Sequence, residues 1–536
     1  MLSQPNPDEV SEFIHCFHWR SKRELFDHEY VFPYHAFFDE YEVDKELGSH
    51  SAKLGAVYAK LACLPPKYQG TVENVFLALL FNHEDRKEYS FKNVVRIFIA
   101  ELKFLQDEGK EIHVKGKKIN VYFVLGLALG DNLGLMTWLN LVECFSANYC
   151  CRFCYASKDM LHRMIFEDPG LMRNEVQHKK DVVAKAVKES GVVEPSALAD
   201  IEHFLVTENP FVDLMHDLDE GIAVYDMQHL LHYLIFVKNY FTVNQLNFAL
   251  TTFNYCSDMT NRPPQLNGKR VKNKSINMTA AEMRSLVRIL PMLIGDLVDE
   301  SDEMWKLYLF LRDLYDIVLS PSVQRGVSTI LKNTIAEHHR LYIKLTGDTL
   351  KPKHHFVIHY PQILLKSGPF VKYSYYRPEA KHQVGVQDAK ATKSRRFIAH
   401  TIAIKEQLRF AYRLQSRKGL CAKLEVGCEK STGQFDKKDL PSSFQNSVCF
   451  PVADVNGTIY KADVCVVTGG TDDDGPEFGI ISDVFVNDNR EVGLLYHMLS
   501  TVSYSTHFHA YEVRKVSKKN FLPVTDLLDY HPVLFH

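Results

Sequence analysis

Apolar runs separated by short polar breaks dominate the first 155 residues of the chain. Three of these runs, at 31–38, 54–62 and 75–81, are bounded by Gly, Pro, Asn and charged residues, which predicts three successive strands. Residues 91–105 carry apolar side chains near helical spacing, and a long apolar run follows at 119–129. The predicted order is therefore strand, strand, strand, helix, strand, which several kinds of α/β domain share.

Helical periodicity dominates the middle of the chain, from 156 to about 350. Amphipathic stretches at 281–298, 303–318 and 329–345 predict a helical block of about a domain's length. Residues 261–277 interrupt this block with Pro, Asn, Lys and Arg, which predicts an exposed loop. The cations of this loop either bind DNA or are simply solvated, and they are Lys269, Arg270, Lys272 and Lys274.

The last part of the chain is predicted to be a small β domain. Residues 419–448 are weakly patterned and are interpreted as a linker. Short apolar runs punctuated by Gly and Asp follow at 458–467, 477–487, 493–500 and 507–513. They suggest an all-β barrel of SH3-like or Tudor-like type, which would bind a partner protein or chromatin.

The charge balance and the cysteine pattern limit the classes of protein. The formal net charge is −3 and the pI is about 6.8, so any DNA contact would need local basic patches. We find no apolar run of about eighteen residues and no basic, apolar leader, so we expect neither secretion nor a membrane-spanning segment. The 11 cysteines are scattered apart from Cys150, Cys151 and Cys154, which indicates a reducing, intracellular compartment.

Two acids stand at the ends of apolar runs, Asp39 after the first run and Asp131 after the fourth. These strands can be neighbours in a mixed sheet, and two close carboxylates repel unless a cation lies between them. Mg²⁺ binds few carboxylates and keeps water and phosphate oxygens as its other ligands, which suits phosphoryl transfer. The charged turn after Asp39 also holds rival acids, which are Glu40, Glu42 and Asp44.

A CxxC pair, Cys151 and Cys154, begins 20 residues after Asp131. This spacing suits zinc, which would need two further ligands. The possible histidine ligands are His203, His216, His354, His355 and His359. His355 and His359 are four residues apart and would share one helix face, so we prefer this pair, although any single histidine could be an ordinary surface residue.

The order of these signals resembles a known family. GD at 130–131 is followed by CRFC at 151–154, DLMH at 213–216, HFVIH at 355–359 and RPEAKH at 377–382. Across residues 35–400 this series is similar to the DDE transposases of the CACTA/EnSpm type and to the catalytic subunit of the V(D)J recombinase. FFDEYE followed by LGS at 47–49 resembles their first strand. The chain departs from the family at Pro378 and Glu40, where an apolar residue and Asp are usual.

The resemblance implies an RNase-H-like α/β core interrupted by a large all-α insertion, with the small all-β barrel as a C-terminal domain. An N-terminal remnant at 1–30 would precede the first part of the core at 31–155. The insertion would cover 156–350 and the end of the core 351–418. The linker at 419–448 and the barrel at 449–536 would complete the chain.

The resemblance also implies a site and a reaction. The catalytic residues, which would hold Mg²⁺ or Mn²⁺, are Asp39, Asp131 and Glu379. The ligands of a structural zinc ion would be Cys151, Cys154, His355 and His359, with His354 as an alternative to His355. The implied function is DNA cleavage at transposon ends and strand transfer in the nucleus, by a homodimer or higher oligomer. The rival hypothesis is a domesticated, inactive descendant that binds DNA or chromatin.

Other residues are assigned by position. The cations expected to bind phosphates are Lys390, Lys393, Arg395 and Arg396. We expect Asp213 and His216 to brace the helical insertion rather than to touch substrate. We expect Trp305 to belong to the core at helical spacing, and the C-terminal histidines to be structural, namely His507 and His509.

Overall fold

The computed structural model describes residues 6–43, 53–69, 71–255, 259–373, 376–392, 397–416, 418–420, 424–429, 440–471 and 475–535. The chain forms two compact units, each built from two stretches of sequence. Unit 1 consists of Met1–Asp226 and Asp313–Leu420, and unit 2 consists of Met227–Arg312 and Cys421–His536. Within the described ranges, every helix is too short or too polar to cross a membrane.

A mixed β-sheet lies in unit 1. The strands of this unit are β1 (Glu9–Val10), β2 (Tyr30–Glu42), β3 (Lys53–Leu61), β4 (Phe76–Asn82), β5 (Lys110–Val114), β6 (Lys117–Gly130) and β7 (Val323–Gln324). The sheet has the order β4-β3-β2-β6-β5, and β1 pairs with β7. β2 and β6 run parallel to each other, whereas the other neighbours in the sheet are antiparallel.

Helices make up much of the remaining described chain. Up to the first π-helical segment they are α1 (Phe17–Arg23), α2 (Pro66–Gln69), α3 (His83–Tyr89), α4 (Phe91–Val94), α5 (Arg96–Asp107), α6 (Asn132–Leu139), α7 (Lys158–Leu161), α8 (Glu175–Ala184) and α9 (Val187–Ser190). The π-helical segment Met215–Ile222 leads into α10 (Ala223–His232). A second π-helical segment, Tyr233–Val237, follows α10 directly.

The later helices are α11 (Val243–Thr252), α12 (Gly268–Lys272), α13 (Ala280–Ile294), α14 (Glu303–Leu319), α15 (Val327–Thr346), α16 (Pro352–Val357), α17 (Tyr360–Ser367), α18 (Tyr376–Ala391) and α19 (Ile398–Gln415). The helices predicted at 281–298, 303–318 and 329–345 are confirmed as α13, α14 and α15. The predicted order of strand, strand, strand, helix, strand matches β2, β3, β4, α5 and β6, but an additional strand that was not predicted, β5, lies between α5 and β6.

Two helices differ from the sequence prediction. α1 lies in the N-terminal remnant at 1–30, for which no helix was predicted; its buried residues are Trp19 and Lys22, and a lysine on the buried face weakens the apolar pattern of a helix. α12 lies within the predicted loop at 261–277, since the Asn267 side chain accepts hydrogen bonds from two backbone amides and caps a short helix. Capping by a polar side chain can start a helix where the composition alone favours a loop.

A cluster of aromatic rings fixes α6 against the sheet. Trp138 of α6 is fully buried, and its ring centroid lies 5.8 Å from that of Phe38 and 5.4 Å from that of Phe91. Burial of a side chain of this size contributes roughly 3–5 kcal/mol. Because α6 begins directly after Asp131, this packing also fixes the position of that acid.

The C-terminal strands of unit 2 pair in antiparallel fashion. They are β8 (Leu424–Val426), β9 (Val448–Phe450), β10 (Val452–Val455), β11 (Thr458–Lys461), β12 (Cys465–Thr471), β13 (Gly475–Val486), β14 (Val492–Ser505), β15 (Ala510–Pro523) and β16 (Asp529–Val533). One sheet has the order β15-β14-β13-β12-β16 with β9 on β13, and another has the order β11-β10-β8. The predicted β-rich C-terminal region is therefore confirmed.

Trp305 and His507 are structural residues of unit 2. Trp305 is fully buried, and its indole N–H donates to the backbone carbonyl of His507 at 3.2 Å. The Nε2 atom of His507 lies 2.9 Å from the carbonyl oxygen of Gly295. Both contacts satisfy buried polar groups, so the structural interpretation of these two residues is confirmed.

The Asn209 side chain makes two hydrogen bonds to the backbone of β6, as a neighbouring strand would. β5 pairs with Lys117 to Val121 of β6, and further along the strand the Asn209 side chain bonds to Ala128. Its Oδ1 accepts from the Ala128 amide at 3.0 Å, and its Nδ2 donates to the Ala128 carbonyl at 2.8 Å. Both bonds are buried, so loss of the amide would leave two backbone groups of the sheet unsatisfied.

Asn209→Ala should lower the free energy of unfolding by roughly 2–4 kcal/mol, because each unsatisfied buried group costs about 1–3 kcal/mol. Urea denaturation of the full chain measures this loss. Asn93→Ala is the control, since the Asn93 amide bonds to the Tyr89 carbonyl at the exposed surface, and we expect a change below about 1 kcal/mol. Equal losses in the two variants would contradict the role of Asn209.

Candidate active site and metal cluster

Asp39 and Asp131 occupy equivalent levels of two neighbouring parallel strands. Phe38 of β2 pairs with Gly130 of β6, and each acid is the next residue. Asp131 is the N-cap of α6, and its carboxylate accepts a hydrogen bond from the Gly134 amide. Gly134 permits this turn, because a Cβ there would lie 2.9 Å from the Phe38 carbonyl oxygen. The prediction that these two strands are neighbours is confirmed.

Glu379 approaches this edge of the sheet on α18. α18 packs closely on β2 at Gly385, where a Cβ would lie 2.5 Å from the Tyr41 hydroxyl oxygen. One turn after Glu379, the Nδ1 atom of His382 lies 3.5 Å from Asp39 Oδ2. Burial lowers the pKa of His382 to about 3, so this ring is neutral and adds no positive charge beside the acid.

Asp39 and Glu379 line one cleft of about 630 Å³. Lys53 and Lys390 line the same cleft and bring positive charge to its wall. Pro378, the departure from the family pattern, lies in the first turn of α18, where a missing N–H breaks no helical hydrogen bond. Proline at this position is therefore compatible with the helix that carries Glu379.

Burial and mutual repulsion raise the pKa values of the acids. Burial is the largest cause that raises the pKa of Glu379 to about 7, and the charges of Asp39 and Asp213 add to it. Burial also raises the pKa of Asp131, and the charge of Asp213 contributes. A group of partly buried carboxylates with raised pKa values stores repulsion that divalent cations would relieve.

His216 brings positive charge to these acids. Its Nδ1 atom lies 2.6 Å from Asp213 Oδ2, and Asp213 is fully buried. Burial alone would lower the pKa of His216, but the charge and hydrogen bond of Asp213 and the charge of Asp131 raise it to about 10. The charge of His216 in turn lowers the pKa values of Asp131 and Glu379. Sequence reasoning assigned the DxxH pair to bracing alone and missed its place among the acids.

Glu40, the rival of Asp39, is engaged in ion pairs. Its carboxylate lies 2.8 Å from His83 Nδ1, 3.3 Å from Arg86 Nη1 and 3.1 Å from Lys53 Nζ. Burial would raise the pKa of Glu40, but these partners lower it. These contacts favour Asp39 as the acid that belongs to the cluster with Glu379. Of the two remaining rivals, Glu42 lines the same cleft, whereas Asp44 lies outside the described residues, as does the LGS sequence at 47–49.

A buried cluster unites the predicted zinc ligands. Its members are Cys151, Cys154, His355 and His359, and their ligand atoms all lie within 4.8 Å of one another. The Sγ of Cys154 is 3.2 Å from His355 Nε2, and the Sγ of Cys151 is 3.6 Å from His359 Nε2. Two thiols and two imidazoles are a donor set that zinc prefers, so the cluster could hold a metal ion such as zinc.

The two cysteines of the cluster differ in protonation, because the hydrogen bond with Cys151 and burial raise the pKa of the Cys154 thiol well above its usual value, whereas that of Cys151 is lowered. Burial would raise the pKa of the Cys151 thiol, but the Cys154 hydrogen bond and the charges of His355 and His359 hold it well below its usual value. Glu167 bonds to the outer nitrogen of His359, with 2.6 Å between Oε2 and Nδ1. A carboxylate in this position orients a ligating histidine. Sequence reasoning missed Glu167, because it is 192 residues from His359 and belongs to no motif.

His355 and His359 converge without sharing one helix. α16 ends before His359 and α17 begins after it, because Pro361 has no N–H to continue the first helix. The alternative ligand His354 is engaged elsewhere, since its Nδ1 accepts from the Lys351 amide at 3.1 Å. The expectation of one shared helix face was wrong, although the pair still meets at the cluster.

The structure describes some of the predicted DNA-binding cations but not all of them. Lys390 is exposed on α18 and lines the cleft. The other three cations of this group, Lys393, Arg395 and Arg396, lie outside the described residues. In unit 2, the second basic group is exposed on and just after α12, and it comprises Lys269, Arg270, Lys272 and Lys274.

No protein-family model matches the chain, and no curated protein matches it.

Cys154→Ser should abolish tight zinc binding, because a serine hydroxyl is a poor zinc ligand compared with a thiolate. We expect one zinc ion per wild-type chain by elemental analysis, and a lower melting temperature after chelation. Cys150→Ser is the matched control, since Cys150 is buried beside the CxxC pair but outside the cluster. Equal zinc content in the two variants would contradict the assignment.

Glu379→Gln should stabilise the metal-free protein at pH 8. The folded-state pKa of about 7 exceeds the ordinary value of 4.5, so wild-type stability falls as pH rises between these values. The gain at pH 8 should be on the order of 1–2 kcal/mol after solvent screening, and it should vanish below about pH 4.5.

Thermal melts with and without Mn²⁺ measure this effect. Mn²⁺ should raise the melting temperature of the wild type but not that of Glu379→Gln, whereas the exposed control Glu84→Gln should behave as the wild type does. A Glu379→Gln protein that is less stable than the wild type at pH 8 would refute the idea that Glu379 is held against repulsion.

Proposed function

We propose that this chain is a DDE-type transposase whose unit 1 contains an RNase-H-like core. The sheet supports this proposal, because three antiparallel strands, β2, β3 and β4, are followed by α5 and by a β5–β6 hairpin in which β6 runs parallel to β2. The observation that carries the proposal is electrostatic: the charge of Asp39 helps raise the pKa of Glu379, and the charges of His216 and Asp213 act on both Asp131 and Glu379.

The three carboxylates suit Mg²⁺ or Mn²⁺. They offer oxygen donors, which hard divalent cations prefer, and a bound cation would relieve the repulsion by which Asp39 and Asp213 help raise the pKa of Glu379. When bound, two such ions would supply positive charge to the attacking and leaving oxygens of a phosphoryl transfer.

The proposed reaction has two steps at the same site. A water oxygen first attacks the phosphorus of a phosphodiester at a transposon end, and the 3′-oxygen of the neighbouring nucleotide leaves as a hydroxyl. That 3′-hydroxyl then attacks a target phosphodiester and displaces another 3′-oxygen. Protonated His216 would attract the reacting phosphate, and Lys390 would hold the DNA backbone at the cleft. Lys393, Arg395 and Arg396 would extend this contact.

The metal cluster would hold the end of the core in place. His359 lies 20 residues before Glu379, so an ion at the cluster would tie the CxxC segment to the chain that delivers the third acid. The proposal further includes a nuclear location and a homodimer or higher oligomer that joins two DNA ends. It also assigns to the antiparallel C-terminal strands an SH3-like or Tudor-like barrel that binds chromatin or a protein partner.

A second candidate is a domesticated descendant that binds DNA or chromatin without cutting. One observation favours it, because the positive charge of His216 compensates the acids in the absence of divalent cations. The two candidates differ in whether Mn²⁺ produces cleavage by a folded, zinc-loaded protein.

The decisive assay is Mn²⁺-dependent nicking and strand transfer on DNA that carries the ends of the encoding element. Asp131→Ala and Glu379→Ala should each lower the rate of cleavage by about 10³-fold or more. The reason is that these carboxylates would hold the divalent cations whose positive charge stabilises the transition state. The exposed control Glu84→Gln should cut normally. DNA binding without cleavage by the zinc-loaded wild type would instead support the domesticated binder.

A further inference from the structure

Four buried polar residues each stand next in sequence to a residue of the two sites. They follow Asp131, His216 and His359, or lie between the cysteines of the CxxC pair. These residues, which we call the buried relay, are Asn132, Arg152, Asp217 and Tyr360. None is more than 4% exposed. None is one of the predicted catalytic acids, Asp39, Asp131 and Glu379, and none is a ligand of the metal cluster.

The relay residues form one chain of hydrogen bonds. Arg152 Nη1 donates to Asn132 Oδ1 at 2.6 Å, and Asn132 Nδ2 donates to Asp217 Oδ1 at 2.7 Å. The second oxygen of Asp217 accepts from the Tyr360 hydroxyl at 3.0 Å. Arg152 also donates to the Phe211 carbonyl at 3.3 Å, which anchors the beginning of the chain.

Charge fixes the orientation of the central amide. The oxygen of Asn132 faces the Arg152 guanidinium and its NH₂ group faces the Asp217 carboxylate, so a flipped amide would meet like polarity on both sides. Burial of Arg152 and Asp217 is tolerable only while both are present and linked. Each of these residues therefore depends on its neighbour in the relay for a buried hydrogen bond.

The metal cluster adjoins both ends of the relay, whereas Asp131 and His216 adjoin its two middle residues. Arg152 and Tyr360 are covalent neighbours of the metal cluster, so their positions depend on its assembly. Asn132 is the first residue of α6, and Asp217 lies in the π-helical segment directly after His216. A shift of Asn132 would move the N-terminus of α6, where Asp131 is the cap.

We propose that Asn132, Arg152, Asp217 and Tyr360 are positioning residues that couple the metal cluster to the acids. The assembled cluster fixes the positions of Arg152 and Tyr360, and the relay then fixes the positions of Asp131 and His216. The relay residues act through their neighbours and touch neither DNA nor the catalytic ions. The consequence for catalysis depends on the proposed function, whereas the coupling of the two sites does not.

A matched pair of tyrosines tests this role. Tyr360→Phe removes the hydroxyl that bonds to Asp217, and Tyr315→Phe removes the equally buried hydroxyl that bonds to Asp219 at 2.7 Å in the same π-helical segment. Asp217→Asn and Asp219→Asn form a second pair of the same design. All four variants are to be prepared zinc-loaded, with zinc content and melting temperature measured as checks on folding.

Hydrogen exchange of the segment 131–139, followed by mass spectrometry, reports on the N-terminus of α6 without any need for activity. Tyr360→Phe and Asp217→Asn should exchange faster in this segment by about tenfold and still bind one zinc ion per chain. On DNA, their kcat should fall on the order of tenfold to a hundredfold with KM unchanged. Tyr315→Phe and Asp219→Asn should match the wild type in both measurements.

The outcomes separate the relay from the proposed function. Faster exchange in the relay variants alone, with no cleavage by any protein including the wild type, would support the relay and reject the transposase. The opposite result is cleavage by the wild type, together with the same exchange rate and the same kcat in the two variants of each pair. That result would reject the relay and would still support the transposase. Loss of zinc in Tyr360→Phe would also overturn the relay, because the variant would then act on the cluster itself.

Discussion

Repulsion between carboxylates at one edge of a sheet is the constraint on which the rest of unit 1 depends. The register of β2 and β6 places Asp39 and Asp131 at the same level, and α18 places Glu379 in the cleft that Asp39 lines. Burial is the largest cause that raises the pKa of Glu379 to about 7, and the charges of Asp39 and Asp213 add to it, so the ionised carboxylate is disfavoured at this place. A fold tolerates such a group only when surrounding packing holds the elements together. The packing of Trp138 of α6 against Phe38 and the close contact of Gly385 with Tyr41 hold these elements together.

The π-helical segment Met215–Ile222 concentrates buried acids beside this group. Asp213, Asp217 and Asp219 are all fully buried in or next to it. Each has its own hydrogen-bond donor, respectively His216, the Asn132 amide with the Tyr360 hydroxyl, and the Tyr315 hydroxyl. Buried charges are stable only with such partners. π-Helical turns occur frequently at functional sites, and this one brings a cationic histidine to the acids.

The metal cluster and the acids are built from segments that are remote in sequence. The cysteines come from the segment after α6, whereas His355 and His359 come from the far side of the helical block. Closing so long a loop costs conformational entropy, and a metal ion at the cluster would offset part of that cost. The same closure brings Tyr360 to Asp217 and Glu167 to His359. Assembly of the cluster and placement of the acids are thus parts of one event in our proposal.

The sequence by itself determined the order of β2, β3, β4, α5 and β6, the helices α13 to α15 and the motif residues that meet at the cluster. Apolar periodicity and ligand spacing are local properties, so they can be read without a structure. Only the tertiary structure decided between His354 and His355 as a ligand and showed that Glu40 is in ion pairs. It also showed that His216, Glu167 and the buried relay belong to the surroundings of the two sites. Those choices depend on contacts between residues up to about two hundred positions apart, such as Glu167 with His359 across 192 residues. Contacts over such separations leave no periodic pattern in the chain, because they arise from packing and charge after the elements have met.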